Sequence, residues 1–478
     1  MTFPTKPQIP DVLASRYASV AMCDVWSPEG RVVLERELWI AVMKAQKAQG
    51  LDIAQEAIDA YERVKETVNL DSISARERSL RHDVKARIEE FCDLAGHEQI
   101  HLGMTSRDLT ENVEQLQIRR SMELIRDKVV AALSALAAAA QQHQNTLIVA
   151  RTHHVPAQPS TLGKRLAMFG EELLQAFERL EEVLRRYPMR GLKGAVGTQL
   201  DLISLLGGQE KVDQLEQSIA SQLGFERVLG AVGQVYPRSL DFEVVSALYQ
   251  VGAGVSDFAL SLRLMVGHEL ASEGFGKDQV GSSAMPHKMN ARSCERIHGF
   301  QVLMSGYLDM VSRLAGEQWN EGDVSCSVVR RIALPSAMFT MDGALETFLT
   351  VLAEMEVYES SISSEVRRML PFLGTTTLLM EAVKCGGGRE EMHDAIRGHA
   401  VEVARALREG RQAENNLPDR LGNDPLFPLS LEEITTLLND SNRFLGAAPR
   451  QVADFAQKVK QIADRYPGVA QYTPDPIL

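Results

Sequence analysis

Between Gly281 and Glu295 the chain reads Gly-Ser-Ser-Ala-Met-Pro-His-Lys-Met-Asn-Ala-Arg-Ser-Cys-Glu. Hydroxyls, an imidazole, an ammonium, an amide and a carboxylate follow one another in this one stretch. Such groups remove a proton, deliver one, and stabilise the charge made in between. The first half cannot form a good helix. Gly281 frees the backbone, Ser282 and Ser283 compete for backbone hydrogen bonds, and Pro286 holds Met285 extended. From Ala291 onward a helix is possible. The stretch therefore reads as a polar loop feeding a helix start, the kind of segment that carries functional groups on a rigid scaffold. Taken alone, it also fits an ordinary surface loop.

Other polar clusters sit between apolar segments. In His101-Leu-Gly-Met-Thr105-Ser106-Arg107-Asp108, Thr105 and Asp108 fit a capping box. The free N–H groups of a helix start with hydroxyls beside them also suit a carboxylate or phosphate. Arg81-His82-Asp83-Val84 reads as a helix cap with Asp83 as the capping residue. Arg151-Thr152-His153-His154 lies in a connector broken by Pro156 and Pro159. Two adjacent histidines hint at a metal site, but no further ligands follow at a fitting spacing, so no metal is expected. The run from Gly191 to Thr198 resembles a nucleotide loop but lacks the preceding strand and the Gly-Lys-Ser/Thr ending, which excludes a P-loop. Gln318 to Asp323, leading to Ser327 and Arg331, reads as a polar helix end, and Arg16-Tyr17 as part of an N-terminal arm.

The elements that must position these groups are helices. Apolar residues alternate spacings of four and three from Ile118 to Ala140, from Leu162 to Leu184, from Val244 to Met265, from Met304 to Ala315 and from Met341 to Met355. That rhythm predicts five amphipathic helices in a long bundle. No run of alternating strands rivals it, although short hairpins fit the connections. Ser27-Pro28-Glu29 starts a helix that stops at Gly50. Shorter helices are expected over 53–68 and 74–95. After residue 360 the rhythm weakens, with breakers at Gly386-Gly387-Gly388 and Pro418-Asp419, and the chain ends in Pro474-Asp475-Pro476. The fold class is all-α in three helical domains: 1–105, 106–360 with the long bundle, and 361–478. Small residues along the bundle, such as Ala135 to Ala140, allow close helix approach and predict a homo-oligomer.

Composition bounds the function. The chain has 478 residues, too many for one core, and a formal net charge of −13, which argues against nucleic acid or an anionic membrane as partner. Five scattered cysteines without a Cys-x-x-Cys pair suggest a reducing compartment. The start, Met-Thr-Phe-Pro-Thr-Lys-Pro, lacks a secretion segment, and the longest apolar run is too short to span a bilayer. A cytoplasmic enzyme acting on a small molecule is expected.

The Gly281 run resembles the signature of the fumarase/aspartase superfamily, Gly-Ser-Ser-x-Met-Pro-x-Lys-x-Asn. Ala291 stands where many members have Pro, with no reactive group lost. The resemblance implies a homotetramer whose central bundle pools helices from all subunits, with each active site drawn from three chains. It implies no metal or organic cofactor. Ser282 is then the general base, activated by backbone N–H donors and Lys288; Asn290 holds a carboxylate; His153, after Thr152, is the general acid, oriented by Glu295. His82 and Asp83 match a His-Asp-Val run. His101, Thr105 and Ser106 match the His-x-Gly-x-Thr-Ser run that faces substrate, and Gln234 matches a substrate-holding Gln.

Within the superfamily the chain is most similar to the adenylosuccinate lyase family. That family cleaves adenylosuccinate, and succinylaminoimidazole carboxamide ribotide, releasing fumarate in purine biosynthesis. There Arg16 and Tyr17, with Ser327 and Arg331, meet the substrate phosphate. A further family Arg falls on Gly322 here, with Arg330 as a candidate replacement. The alternatives are carboxymuconate cycloisomerase, against which the phosphate residues argue; argininosuccinate lyase, which usually has Gln where this chain has His287; and an inactive structural homologue, against which Ser282, Lys288, His153 and Glu295 argue.

Overall fold

The computed structural model describes residues 9–275, 281, 282 and 284–474. Ser283 of the signature, the first eight residues, and Asp475 and Pro476 lie outside the described residues.

The chain opens with short helices, α1 (Val12–Arg16), α2 (Val20–Trp26), α3 (Pro28–Ala48), α4 (Gln55–Val64), α5 (Leu70–Leu80) and α6 (Asp83–Ala95). Ser27 caps α3, its Oγ accepting the Gly30 N–H at 2.9 Å, with Pro28 in the first turn, as the sequence predicts. The helix expected over 74–95 is two helices. Arg81, at φ +55°, ends α5, and the next helix starts anew. The cap expected of Asp83 belongs to His82, whose Nδ1 accepts the Lys85 N–H at 3.3 Å. Asp83 instead occupies the first helical position, where it meets Arg87 at 3.0 Å.

The bundle follows. It comprises α7 (Ser106–Gln142), the hairpin β1 (Leu147–Thr152) and β2 (Val155–Thr161), α8 (Leu162–Arg186), two shorter helices α9 (Leu200–Leu206) and α10 (Gln209–Gln222), then α11 (Ser239–Gly267), α12 (Arg292–Ser312) and α13 (Cys326–Glu354). The residues of the apolar rhythm in α7, α8 and α11 are all buried, from Ile118 to Ala140, Leu162 to Leu184 and Val244 to Met265. One stripe of each helix thus faces a common core. Within the helix α13, Pro335 is tolerated, and it replaces one backbone donor.

The outer side of the bundle is unusual. On α12, Phe300, Met304 and Val311 face inward, while Val302 is 72% exposed and Leu303 and Met310 are exposed beside it. Gly299 and Gly306, on the same outer side, have open space where a Cβ would stand. Ile332 on α13 and Leu260 and Leu264 on α11 are exposed as well. Apolar seams with glycine gaps at helical spacing are surfaces built for close helix approach.

The C-terminal part contains α14 (Glu359–Leu373), α15 (Thr375–Lys384), α16 (Arg389–Arg408), α17 (Leu417–Gly422), α18 (Leu431–Asn439) and α19 (Ala448–Ala463). A separate small core gathers Leu378, Met392, Val403, Leu417, Ile434 and Phe444. The last helix, α19, returns to the bundle: Phe455 packs so closely on Gly170 of α8 that a Cβ there would lie 2.1 Å from its ring.

Candidate active site

Most of the predicted site residues fall into two groups at opposite ends of the bundle. The first surrounds the N-terminus of α7. Asp108, in the first turn, is fully buried. Its Oδ2 accepts the Thr105 N–H at 2.9 Å and the Thr105 hydroxyl at 3.3 Å, so the predicted capping box is present. Its Oδ1 accepts the Lys193 and Gly194 N–H groups, at 2.8 and 3.0 Å, and Arg190 Nη1 at 2.8 Å. Arg190 in turn donates to the carbonyls of Gly194 and Gly233 at 3.3 and 2.9 Å. One carboxylate and one guanidinium therefore tie the Thr105-Ser106 turn, the Gly191–Thr198 turn and the segment before Gln234 into one piece. Removing either partner of such a buried pair leaves an uncompensated charge, a loss of about 3–5 kcal/mol.

Gln234 completes that wall. Its N–H donates to the Glu321 carbonyl at 2.6 Å and its Nε2 to Ala195 O at 3.4 Å. The loop before α13, carrying Gly322, is thereby set against it. Gly322 has φ +148°, a conformation that favours glycine, and a Cβ there would lie 3.0 Å from Gln234 Cβ. Ser327 and the exposed Arg331 follow in the first turns of α13.

Arg330 does not take the place of the missing arginine. It points inward, donating to Asp241 at 2.7 Å, Glu114 at 2.6 Å and the Tyr236 hydroxyl. Burial opposes its charge, but Asp241, Tyr236 and Glu114 outweigh burial and hold the guanidinium firmly protonated.

His101 belongs to the same end. The Trp39 indole N–H donates to its Nδ1 at 3.1 Å, which assigns the ring proton to Nε2. Burial lowers its pKa to about 4, with His82 close enough to lower it further and Asp108 opposing. His101 is thus a neutral donor at pH 7. The folded-state pKa lies below the unfolded value near 6.5, so the neutral ring contributes stability above about pH 6.5, and this is lost as pH falls toward 4. The expected NMR titration of His101 has its midpoint near 4, moving up toward 6.5 when Trp39→Phe removes the indole donor and loosens the packing; a wild-type midpoint near 6.5 would reject the assignment.

The second group lies at the other end. Ser282 Oγ accepts the N–H groups of Met285 and Ala284, at 3.1 and 3.3 Å. The loop closes on itself: Asn290 Nδ2 donates to Gly281 O at 2.7 Å, and a Cβ on Gly281 would lie 2.1 Å from Lys288 O. Lys288 is exposed in the same turn. The helix start is capped by Glu273, which accepts the Ser293 and Cys294 N–H groups at 2.9 and 3.0 Å. Sequence reasoning missed Glu273, because it lies 20 residues before Ser293 with no local pattern to mark it. Glu295 reaches Arg263 of α11 at 3.6 Å.

His153 and His154 form the two-residue tip of the β1–β2 hairpin, whose last pair is Thr152 and Val155. Both have positive φ, +53° and +61°. Such primed turns prefer Asn-Gly, and two left-handed histidines cost on the order of 1 kcal/mol or more each. Strain of this kind clusters at active sites, ligand clamps and switch regions. The hairpin is anchored by the Arg151–Glu365 ion pair and by Gln158 Nε2 donating to Thr376 at 3.2 Å. The His154 ring stands 5.5 Å from His268, just past the end of α11.

The two groups are far apart. α7 runs 37 residues from Ser106 to the hairpin side, about 55 Å at a rise of ~1.5 Å per residue. α11 runs 29 residues from the Gln234 side to His268, about 43 Å. Arg16 and Tyr17 lie between the ends: the Tyr17 ring is 5.2 Å from Phe300, and its backbone crosses Gly343. Among the described residues no group of three or more His, Cys, Asp or Glu side chains is placed to hold a metal ion.

The family model described as lyase matches residues 22–305, and that of the adenylosuccinate lyase C-terminus matches residues 371–455. Adenylosuccinate lyase of Saccharomyces cerevisiae is 34% identical over 454 residues, covering 93% of both chains. That of Schistosoma mansoni is 34% identical over 450 residues, again covering 93% of both. Among solved structures, the 3-carboxy-cis,cis-muconate lactonizing enzyme of Pseudomonas putida aligns over 95% of this chain and 99% of its own, with a TM-score of 0.79 and 22% identity, a likeness of fold.

Proposed function

The chain belongs to the adenylosuccinate lyase family of the fumarase/aspartase superfamily, and from that premise we propose that it eliminates fumarate from adenylosuccinate, leaving AMP, with Ser282 as base and His153 as acid. The same reaction is proposed for succinylaminoimidazole carboxamide ribotide. The observation that carries the chemistry is the Ser282 turn. A serine hydroxyl is a weak base at neutral pH, and the two backbone N–H groups on its oxygen stabilise the alkoxide that must form. The exposed Lys288 ammonium in the same turn adds positive charge.

The alkoxide takes the proton from the carbon beside a substrate carboxylate. The electron pair left behind spreads into that carboxylate, which Asn290 and Lys288 receive when the loop opens from its present contact with Gly281. The C–N bond then breaks, and His153 gives its proton to the departing nitrogen. Thr152 sits beside it, and Glu295 is proposed to hold the imidazole in the right tautomer. At the far end His101 donates through Nε2–H, with His82, Asp83, Thr105, Ser106 and Gln234 around it. Arg16, Tyr17, Ser327 and Arg331 take the phosphate. Gly322 leaves that anchor one cation short of the family pattern, since Arg330 is occupied inside.

The assembly proposed is a homotetramer with shared sites. About 40–55 Å of helix separates Thr105, Gln234 and Arg331 from Ser282 and His153, a span no loop closure covers. A second copy packed antiparallel along the exposed seam of α12 brings opposite ends together and covers Val302, Leu303 and Met310. No described helix is long and apolar enough to cross a membrane, and we propose a cytoplasmic enzyme with no nucleic-acid partner.

The deciding experiment follows adenylosuccinate by ultraviolet absorbance with the purified protein and identifies fumarate separately. Formation of both AMP and fumarate is expected. No turnover from a folded oligomer would overturn the substrate and turn attention to a succinyl compound without phosphate.

A further inference from the structure

In a chain of net charge −13, one surface gathers arginines. Two adjoining grooves share Phe372, Ala404 and Arg408: one of 720 Å³ between the end of α14, α15 and α16, the other of 860 Å³ between α14, α16 and strand β2. Arg405 lines the first groove, and Arg367 and Arg368 line the second. None of these four arginine side chains makes an ion pair or hydrogen bond with a described residue. The acids on the walls are Glu409, which Arg411 takes at 2.6 Å, and Glu414. Arg397, also on the first wall, is paired with Asp394 at 3.1 Å.

The arrangement follows from helix geometry. Arg397, Val401, Ala404 and Arg408 recur at spacings of four, three and four, one face of α16. Arg368 and Phe372 are four apart on α14 and share a face in the same way. Guanidinium groups that outnumber the acids beside them repel one another, and an anion removes that repulsion. Their planar forks suit phosphate oxygens, and the Phe372 ring with the neighbouring alanine offers a flat apolar floor. Asn415 lines the second wall, its amide nitrogen shielded from solvent and donating to no described residue. The volumes are those of small-molecule sites.

We propose that this double groove is an effector site for a nucleotide-class anion, a phosphate ester carrying a flat ring, and that its occupancy alters turnover. None of its arginines belongs to the candidate active site. The link to catalysis is strand β2, whose Val155 and Pro156 form part of the wall and directly follow the His153-His154 tip. A ligand wedged between β2 and the C-terminal helices shifts the hairpin that carries the proposed acid. This second half rests on the role proposed for His153; binding itself does not.

The test is calorimetric titration of the full-length protein with ATP, inorganic phosphate and adenosine, beside turnover with and without ATP. ATP binding is expected, with phosphate weaker and adenosine unbound. Arg405→Gln with Arg408→Gln should weaken ATP by at least ~10-fold, as loss of charged hydrogen bonds does, while keeping basal turnover. Arg367→Gln with Arg368→Gln, changing exposed side chains of the other groove, should do the same and guards against misfolding of the first pair. Arg331→Gln, in the candidate phosphate anchor, should leave ATP affinity unchanged. Absent ATP binding, binding indifferent to both groove pairs, or binding lost in Arg331→Gln would overturn the site. Groove-dependent binding with no change in turnover would overturn the coupling alone.

Discussion

Ser282→Ala lowers turnover by at least ~10³, with oligomeric state and melting temperature unchanged, the size expected when an essential acid–base group is lost. The side chain accepts two N–H bonds from its own loop and makes no core contact, so its removal leaves two exposed donors that water satisfies. A fall in kcat with little change in KM is the signature of a group that acts on the transition state. Ser282→Cys keeps a nucleophilic atom in the same turn, and a small residual activity with an altered pH profile would support the base role. Near-normal turnover in the alanine variant would remove Ser282 from the chemistry and leave the turn as a mere loop closure.

Mixing two inactive proteins restores activity when their lesions lie at opposite ends of the bundle. Ser282→Ala disables one end and Arg331→Ala the other. In randomly assembled hybrid oligomers about one site in four draws both intact groups from different copies, so about a quarter of wild-type activity is expected. The His153→Ala and Ser282→Ala pair tests the finer point that three chains meet at each site. Recovery there means that these two groups, although at the same end of one chain, come from different copies. No recovery in either mixture, once exchange of subunits is verified by mass, would place a whole site within a single chain and contradict the separation along α7 and α11.

Much of the fold was legible because a bundle helix writes its core face every three or four residues. The stripes of α7, α8 and α11 are buried at the positions the rhythm marks. The capping box at Thr105 was legible for the same reason, since its two members are local. What Asp108 does beyond the box was not. Its partners Arg190, Lys193 and Gly194 lie more than eighty residues away, and a long-range ion pair leaves no spacing in the sequence. The break at Arg81 was missed because neither Gly nor Pro announces it; an arginine takes the left-handed conformation instead. A short hairpin fits the connections, and β1–β2 is one, but its place under His153 was not legible, because its tip lacks Asn-Gly and its second strand carries two prolines. The inward turn of Arg330 depends on Asp241 and Glu114, which no local pattern connects to it.

The 37-residue length of α7 acquires a meaning beyond packing once its two ends serve one reaction through different copies. The helix becomes a ruler. A four-residue deletion near Leu133, which is buried in the bundle core, would shorten it by about 6 Å, where working geometry tolerates roughly 0.5 Å. On the proposed shared site, the spacing of reacting groups is recorded as a count of residues in the middle of the bundle, and insertions or deletions there act as active-site changes made at a distance.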